Sequence, residues 1–386
     1  MTTGPIHGVC RAPFEGVRAA FAANFERPGD YQEVGAAIAV FHRGELVVDL
    51  WGGMADPAAG APWARDTLVN VWSATKGLTA VCVARLVDEG RLAYETRVAE
   101  VWPEFAAAGK GEVTVAQVMS HQAGLPGFAE PTSLADQCDF AGCSAKLARQ
   151  APAFPPGTAT SYHAMTYGYL AGEIVRRVDG RPVGAFAARE ICGPLAADFF
   201  IGLPDTEEPR VARLFGPKRQ PDPAQLARLS PVALMAVSNP QQDPELPNTP
   251  AWRAAEIPAA NGQASAIGLA RLYAALVAGG ELEGVRILSP AGVTRLLAPA
   301  APAGRTDMFL GFTDSWGMGM ALNTPGIYGP HRGAYGHSGW GGAFGCADPE
   351  TGVAIGYVCN QMGPELVGDP RTSGLCAAAV EAGARA

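Results

Sequence analysis

Ser73 and Lys76 stand three positions apart in Val71-Trp72-Ser73-Ala74-Thr75-Lys76-Gly77-Leu78-Thr79-Ala80-Val81-Cys82-Val83-Ala84-Arg85-Leu86-Val87, which carries no charge between Lys76 and Arg85. The run reads as a helix that opens near Ser73 and ends before Gly90, and at this spacing the hydroxyl and the amine share one helical face. A helix apolar on nearly all sides is a buried one, where a lone ammonium ion is costly. Burial near a helix N-terminus shifts a lysine toward its neutral, proton-accepting form. A serine hydroxyl is a poor nucleophile until a base takes its proton, so the pair reads as nucleophile and base, with helix N-terminal amides at hand to polarise a carbonyl. The competing reading makes Ser73 an ordinary N-cap and Lys76 a solvated first-turn residue. It fits less well, because a capping box uses Glu or Gln there, a lysine opposes the helix dipole, and the chain has only four lysines. Ser-x-x-Lys is a short pattern, and the rest of the chain has to decide.

Two further segments carry candidate groups. Ser161-Tyr162-His163-Ala164 follows the Pro155-Pro156-Gly157 turn and precedes a predicted helix, and Gly336-His337-Ser338-Gly339-Trp340-Gly341-Gly342 lies late in the chain. In isolation Tyr162 is a packing aromatic and the second segment a glycine-rich strand entry. In this order, after Ser73-Ala74-Thr75-Lys76, the chain resembles the serine β-lactamase-like and penicillin-binding-protein superfamily, which includes class C β-lactamases, DD-peptidases and family VIII carboxylesterases. The resemblance runs over most of the chain.

The resemblance implies roles for these residues. Tyr162 takes the place of the Tyr or Ser supplied by a helical lobe, a phenol whose pKa a nearby lysine can lower and which relays a proton. His163-Ala164 departs from the Tyr-x-Asn of class C β-lactamases, which points to the esterase branch. His337-Ser338-Gly339 stands where most β-lactamases have Lys-Thr-Gly, so the permanent cation that binds an antibiotic carboxylate is missing and uncharged esters are favoured. His337 would charge at acidic pH. Trp340 would offer its N–H to the oxyanion opposite that of Ser73, and small Gly339 would let substrate approach. Gln117-Val118-Met119-Ser120-His121-Gln122-Ala123-Gly124-Leu125-Pro126 is similar to a recurrent Ser-His-x-Ser-Gly-Leu segment, and this segment and Asn261-Gly262 are expected to be structural, His121 included. No Gly-x-Ser-x-Gly elbow, His-Glu-x-x-His or phosphate loop competes with this reading.

These groups need a frame. Phe14, Val17, Phe21 and Phe25 recur at helical spacing and predict an N-terminal helix ending at Pro28-Gly29. Gly35 to His42 and Glu45 to Trp51 read as strands around Arg43-Gly44, a hairpin signal. Trp340 to Ala347 and Val353 to Cys359 flank the turn formers Asp348-Pro349-Glu350-Thr351-Gly352 and predict a second hairpin, with the His337 segment in its first strand. The alanine-rich stretch from Ser373 to Ala386 closes the chain as a helix. In the middle, Tyr167, Leu170, Ala171, Ile174, Val175 and Val178 keep helical period before Asp179-Gly180, as do Leu269, Leu272, Tyr273 and Leu276 before Gly279-Gly280. Eleven prolines between Pro204 and Pro258 predict irregular connections there.

The predicted fold is α/β (α+β) and β-lactamase/transpeptidase-like, an antiparallel sheet from both chain ends flanked by terminal helices, with a mostly helical lobe inserted. Residues 1–386 form one catalytic domain, with an α/β lobe over 1–65 and 300–386, a helical lobe over 66–299 and a cleft between them. With 48% hydrophobic and 17% charged residues the chain can bury a large core, and a net charge of −8 without basic runs excludes nucleic-acid binding. Gly, Pro or charge interrupts every apolar run, which argues against a membrane span, and the first residues lack a secretory pattern, so a cytoplasmic protein is expected. The eight scattered cysteines read as buried, reduced thiols and suggest no metal.

The resemblance implies hydrolysis of small-molecule carboxylic esters through an acyl-enzyme on Ser73. Lys76 and Tyr162 serve as base and acid, His337, Ser338, Gly339 and Trp340 face the substrate, and no cofactor is needed. A β-lactamase, DD-peptidase or amidase with the same residues is the alternative, with slow β-lactam deacylation for want of a class A-type glutamate. A non-catalytic scaffold is the third.

Overall fold

Arg43 and Gly44 take left-handed backbone angles, φ 50° and 84°, and turn β2 (Gly35–His42) directly into β3 (Glu45–Asp56). Two such residues match the twist of antiparallel strands, so this hairpin forms where the sequence places it. The computed structural model describes residues 5–219, 224 and 228–386. A short strand, β1 (His7–Cys10), adds to the outer edge of β3. From the other end of the chain come β4 (Ala321–Leu322), β5 (Tyr335–Ser338), β6 (Phe344–Asp348) and β7 (Val353–Cys359). The sheet runs β1-β3-β2-β7-β6-β5-β4, and the two chain ends meet where Ala36 pairs with Cys359 and His42 with Val353.

Both faces of this sheet are covered, and β2 shows it by alternation. Ala36, Ile38 and Val40 face α1 (Glu15–Glu26) and the C-terminal helix, in a core with Phe14, Val17, Phe21 and Phe25. Ala37, Ala39 and Phe41 point the other way, into the larger core that α4 (Ala266–Val277) shares. The helix α4 lies on β7, β2 and β6, although its residues fall inside the 66–299 span assigned to the helical lobe. The C-terminal helix, α5 (Pro370–Arg385), packs beside α1. It starts at Pro370, three residues before the expected Ser373, because Asp369 caps it with a proline in the first turn.

In sequence between the strands from the two chain ends come α2 (Thr75–Asp88) and α3 (Thr166–Asp179), packed on each other. The apolar run after Ser73 is buried on nearly every side, as its composition demands, and α3 ends on Gly180 at φ 89°. The proline-rich stretch is less irregular than predicted. Short helices form at Pro231–Ser238 and Pro250–Ala254, each with proline in its first turn where the missing N–H costs nothing. Residues 220–223 and 225–227 of that stretch lie outside the described residues.

The late hairpin also differs from the sequence reading. Trp340 to Ala347 is not one strand: β6 begins only at Phe344, and His337 and Ser338 belong to the separate strand β5. Gly341 and Gly342, at φ 91° and 117°, make the turn between them, so Trp340 sits in a turn rather than in a strand. Among the described residues no helix is long and apolar enough to cross a membrane, and the eight cysteines are unpaired.

Candidate active site

The chain approaches the site through Val69–Asn70, paired with Gln263–Ala264, and turns sharply at Trp72, whose φ of 43° is unusual for a bulky residue. Such strain persists only where surroundings over-determine it. Here the Trp72 ring is held between Trp252 and Trp340, with centroids 5.6 and 5.2 Å away, and Thr75 Oγ1 donates to Trp72 O while accepting from Gly262 N. A single turn over Trp72–Ala74 then presents Ser73, 8% exposed, at the entry to α2.

Lys76 Nζ lies 3.0 Å from Ser73 Oγ, as the three-residue spacing predicts. It also donates to Ala164 O at 2.7 Å and Ala259 O at 2.9 Å. The second carbonyl belongs to a loop fixed by Asn261, whose amide bonds Ile257 N and Trp252 O, so the Asn261-Gly262 pair is structural as expected. Lys76 is fully buried without a carboxylate partner among the described residues, and burial pushes its pKa well below the ordinary lysine value. Two carbonyls can only accept, so in the neutral amine they take both N–H groups and the lone pair faces Ser73 Oγ.

Tyr162 is brought to the same place. Its phenol lies near enough to Ser73 for that side chain to lower its pKa, and Lys76 Nζ sits 4.9 Å from its ring centroid. Its acidity runs against the expectation that a nearby lysine lowers it: burial raises the phenol pKa, Asp307 adds to the rise and Ser73 opposes it. With Lys76 itself neutral, no cation remains to favour a phenolate.

His163 and His121 are supports. His163 Nε2 accepts from Leu125 N at 3.1 Å and its Nδ1 lies 2.7 Å from Ser161 O, so both ring nitrogens are engaged. The His163 N–H in turn donates to His121 Nδ1 at 3.1 Å. Burial pushes His163 down to about 4 and His121 well below the usual histidine range, so both stay neutral near pH 7.

The third element arrives on β5. His337 is 3% exposed and its pKa is pushed down to about 3 by burial, with Lys76 adding, so it does not become the acid-range cation that its sequence position suggested. Ser338 Oγ is 3.2 Å from Tyr328 OH. Gly339 does not make room for substrate: a Cβ there would lie 2.0 Å from Val71 O. Its missing side chain instead lets the end of β5 press against the backbone just before Ser73. Trp340 follows, its ring tilted against that of Trp72, and among the described residues no acceptor takes the N–H of Trp340 or of Ser73.

Sequence reasoning missed Asp307, Trp316 and Tyr328. Trp316 stacks on Tyr162 with centroids 5.6 Å apart and planes 6° from parallel, and Asp307 bonds both residues. They come from a stretch whose one regular element among the described residues is the two-residue β4, and no local pattern marks them. Tyr162, His337 and Ser338 also line a small recess of about 30 Å³, walled by Leu310, Phe312 and Ile327 among others, and no Lys, Arg, Asp or Glu lines it among the described residues.

Known proteins are similar to this chain in sequence and in fold over most of its length. The esterase/beta-lactamase LipL of Mycobacterium tuberculosis (strain ATCC 25618 / H37Rv) is 38% identical over 94% of this chain and 84% of its own. The crystal structure of a family VIII carboxylesterase superposes with a TM-score of 0.91 at 44% identity, covering 98% of this chain and 100% of that one. A penicillin-binding protein homologue from Caulobacter crescentus gives 0.90 at 48% identity over the same shares. The Beta-lactamase family model matches residues 21–378, which takes in the sheet from β2 onward, the helical insertion and all three elements around Ser73, and the chain therefore belongs to that family.

Proposed function

We propose that this protein is a serine hydrolase of uncharged carboxylic esters that works through an acyl-enzyme on Ser73. The observation that carries the reading is the buried Lys76 amine, pinned by two carbonyls with its remaining direction toward Ser73 Oγ at 3.0 Å. In acylation Ser73 Oγ attacks the ester carbonyl as its proton passes to Lys76 Nζ, and the N–H groups of Ser73 and Trp340 receive the oxyanion. The C–O bond to the alcohol then breaks. Tyr162 gives its proton to the departing alkoxide and recovers one from the Lys76 ammonium. Water enters, loses a proton to the Tyr162 and Lys76 pair, attacks the acyl carbonyl and releases the acid while Ser73 regains its proton.

The uncharged recess and the neutral His337 support ester substrates without a carboxylate. The name of the family VIII carboxylesterase, 44% identical, supports the same class. A second reading, β-lactam or amide hydrolysis by the same residues, draws on the double name of LipL. Against it stand the missing cation at His337 and Ala164 in place of the Asn of Tyr-x-Asn, two positions after Tyr162. Turnover of p-nitrophenyl butyrate beside nitrocefin separates the two: the ester reading expects the first to dominate, and predominant nitrocefin cleavage would replace it with the second.

A further inference from the structure

Asp307 is 2% exposed, distant in sequence from Ser73, Lys76 and Tyr162, and absent from every motif read above. Four N–H groups converge on its carboxylate. Oδ1 accepts from Tyr162 N at 3.2 Å, Phe309 N at 2.9 Å and Leu310 N at 2.9 Å, and Oδ2 accepts from Trp316 Nε1 at 3.1 Å. The bond to Trp316 matters because that indole lies flat against the Tyr162 ring, while Phe309 stacks on Tyr162 with centroids 6.2 Å apart. Met308 N donates to Thr160 O at 2.8 Å, tying the same two segments a second time.

We infer that Asp307 is the positioning residue for Tyr162, holding its backbone directly and its ring through Trp316, so that the phenol stays on Ser73. A side chain that only closed its own turn would need the Phe309 and Leu310 bonds alone. The other two reach the segment that carries the phenol and the ring that flanks it. The role rests on the acid and base function proposed for Tyr162.

Charge gives Asp307 a second effect. The groups facing Tyr162 are Lys76 from α2, His121 from the turn after Val115–Met119, Tyr167 from α3, Tyr328 and His337 across the cleft, and Asp307 itself. Asp307 is the carboxylate of this set, and a negative charge beside a phenol disfavours its ionisation.

The test compares kcat, KM and the pH–rate profile of p-nitrophenyl butyrate hydrolysis in Asp307→Asn, Trp316→Phe and Tyr162→Phe. Asp307→Asn is expected to lower kcat by about tenfold to a hundredfold, with KM changed less than about twofold, since small misplacement of a reacting group costs on this order. Its alkaline limb should move to lower pH, because a charge that adds to the burial-driven rise of the phenol pKa is gone. Trp316→Phe keeps a stacked ring and deletes only the bond to Oδ2, so a smaller kcat loss without a pH shift is expected, and it carries the positioning claim should Asp307→Asn fail to fold. An inactive Tyr162→Phe beside Asp307→Asn and Trp316→Phe with parental kcat and pH profile would overturn the role of Asp307 alone. A fully active Tyr162→Phe would overturn the role of Tyr162 and this inference with it.

Discussion

Gly339 passes the carbonyl oxygen of Val71 so closely that a Cβ at position 339 would lie 2.0 Å from it. Gly339 precedes Trp340 and Val71 lies two residues before Ser73, so this close approach joins the segments that carry the two unpaired N–H groups. Gly339→Ala is therefore expected to push β5 away from Val71 and to lower kcat by about 10² to 10³, the scale of losing one oxyanion donor. Steady-state kinetics check this, and a kcat within threefold of the parent would show that the two backbones do not set the hole.

The base is expected to work as a neutral amine. Burial holds the Lys76 pKa well below its ordinary value, so the ammonium form, which cannot accept a proton, accumulates only below that lowered pKa. Activity should rise as pH increases through it, placing the acid limb of kcat below the ordinary lysine range. Lys76→Arg, charged at all accessible pH, should lose about 10³ or more in kcat with no recovery up to pH 10. Recovery at high pH would contradict the assignment.

His163 is a support beside Tyr162, while Ala164 stands at the position of the Asn in Tyr-x-Asn. The His163 ring ties Leu125 N to Ser161 O, so His163→Asn leaves buried backbone groups without those partners. A loss of about 1–3 kcal/mol in urea denaturation is expected, with no gain in nitrocefin turnover. A gain in nitrocefin cleavage would mean that the residue sets the reaction class.

Glu256 supplies a stability prediction remote from the chemistry. Its carboxyl accepts from Gly184 N at 3.0 Å, has no basic partner among the described residues, and is pushed up to about 7 by burial. Between an unfolded value near 4.5 and this folded value the native state holds the proton that the unfolded chain releases, so stability falls as pH rises through that window. Glu256→Gln should match the parent near pH 5 and exceed it by about 1–3 kcal/mol at pH 8. Parallel stability curves from pH 5 to 8 would refute this.

The parts of the molecule legible in sequence are those whose signals are local. Ser73 and Lys76 are three apart on one helix, the Arg43-Gly44 turn needs two left-handed residues, and α3 announces its end with Gly180. Trp340 was placed in a strand because apolar content was read past Gly341-Gly342, whose left-handed angles make the turn. The helical period of α4 shows that it is a helix but not that its buried face meets β7. Asp307, Trp316 and the Ala259 carbonyl reach the site by tertiary packing from over 100 residues beyond Ser73, and the direction of the Tyr162 shift follows from burial there. None of that is a property of neighbouring residues.

The central claim is that Ser73 forms the covalent intermediate, and intact-mass analysis after incubation with a fluorophosphonate probe tests it most directly. The parent protein should gain one probe adduct and Ser73→Ala none, with ester turnover lost in step. An adduct that persists in Ser73→Ala would place the nucleophile elsewhere and contradict the account.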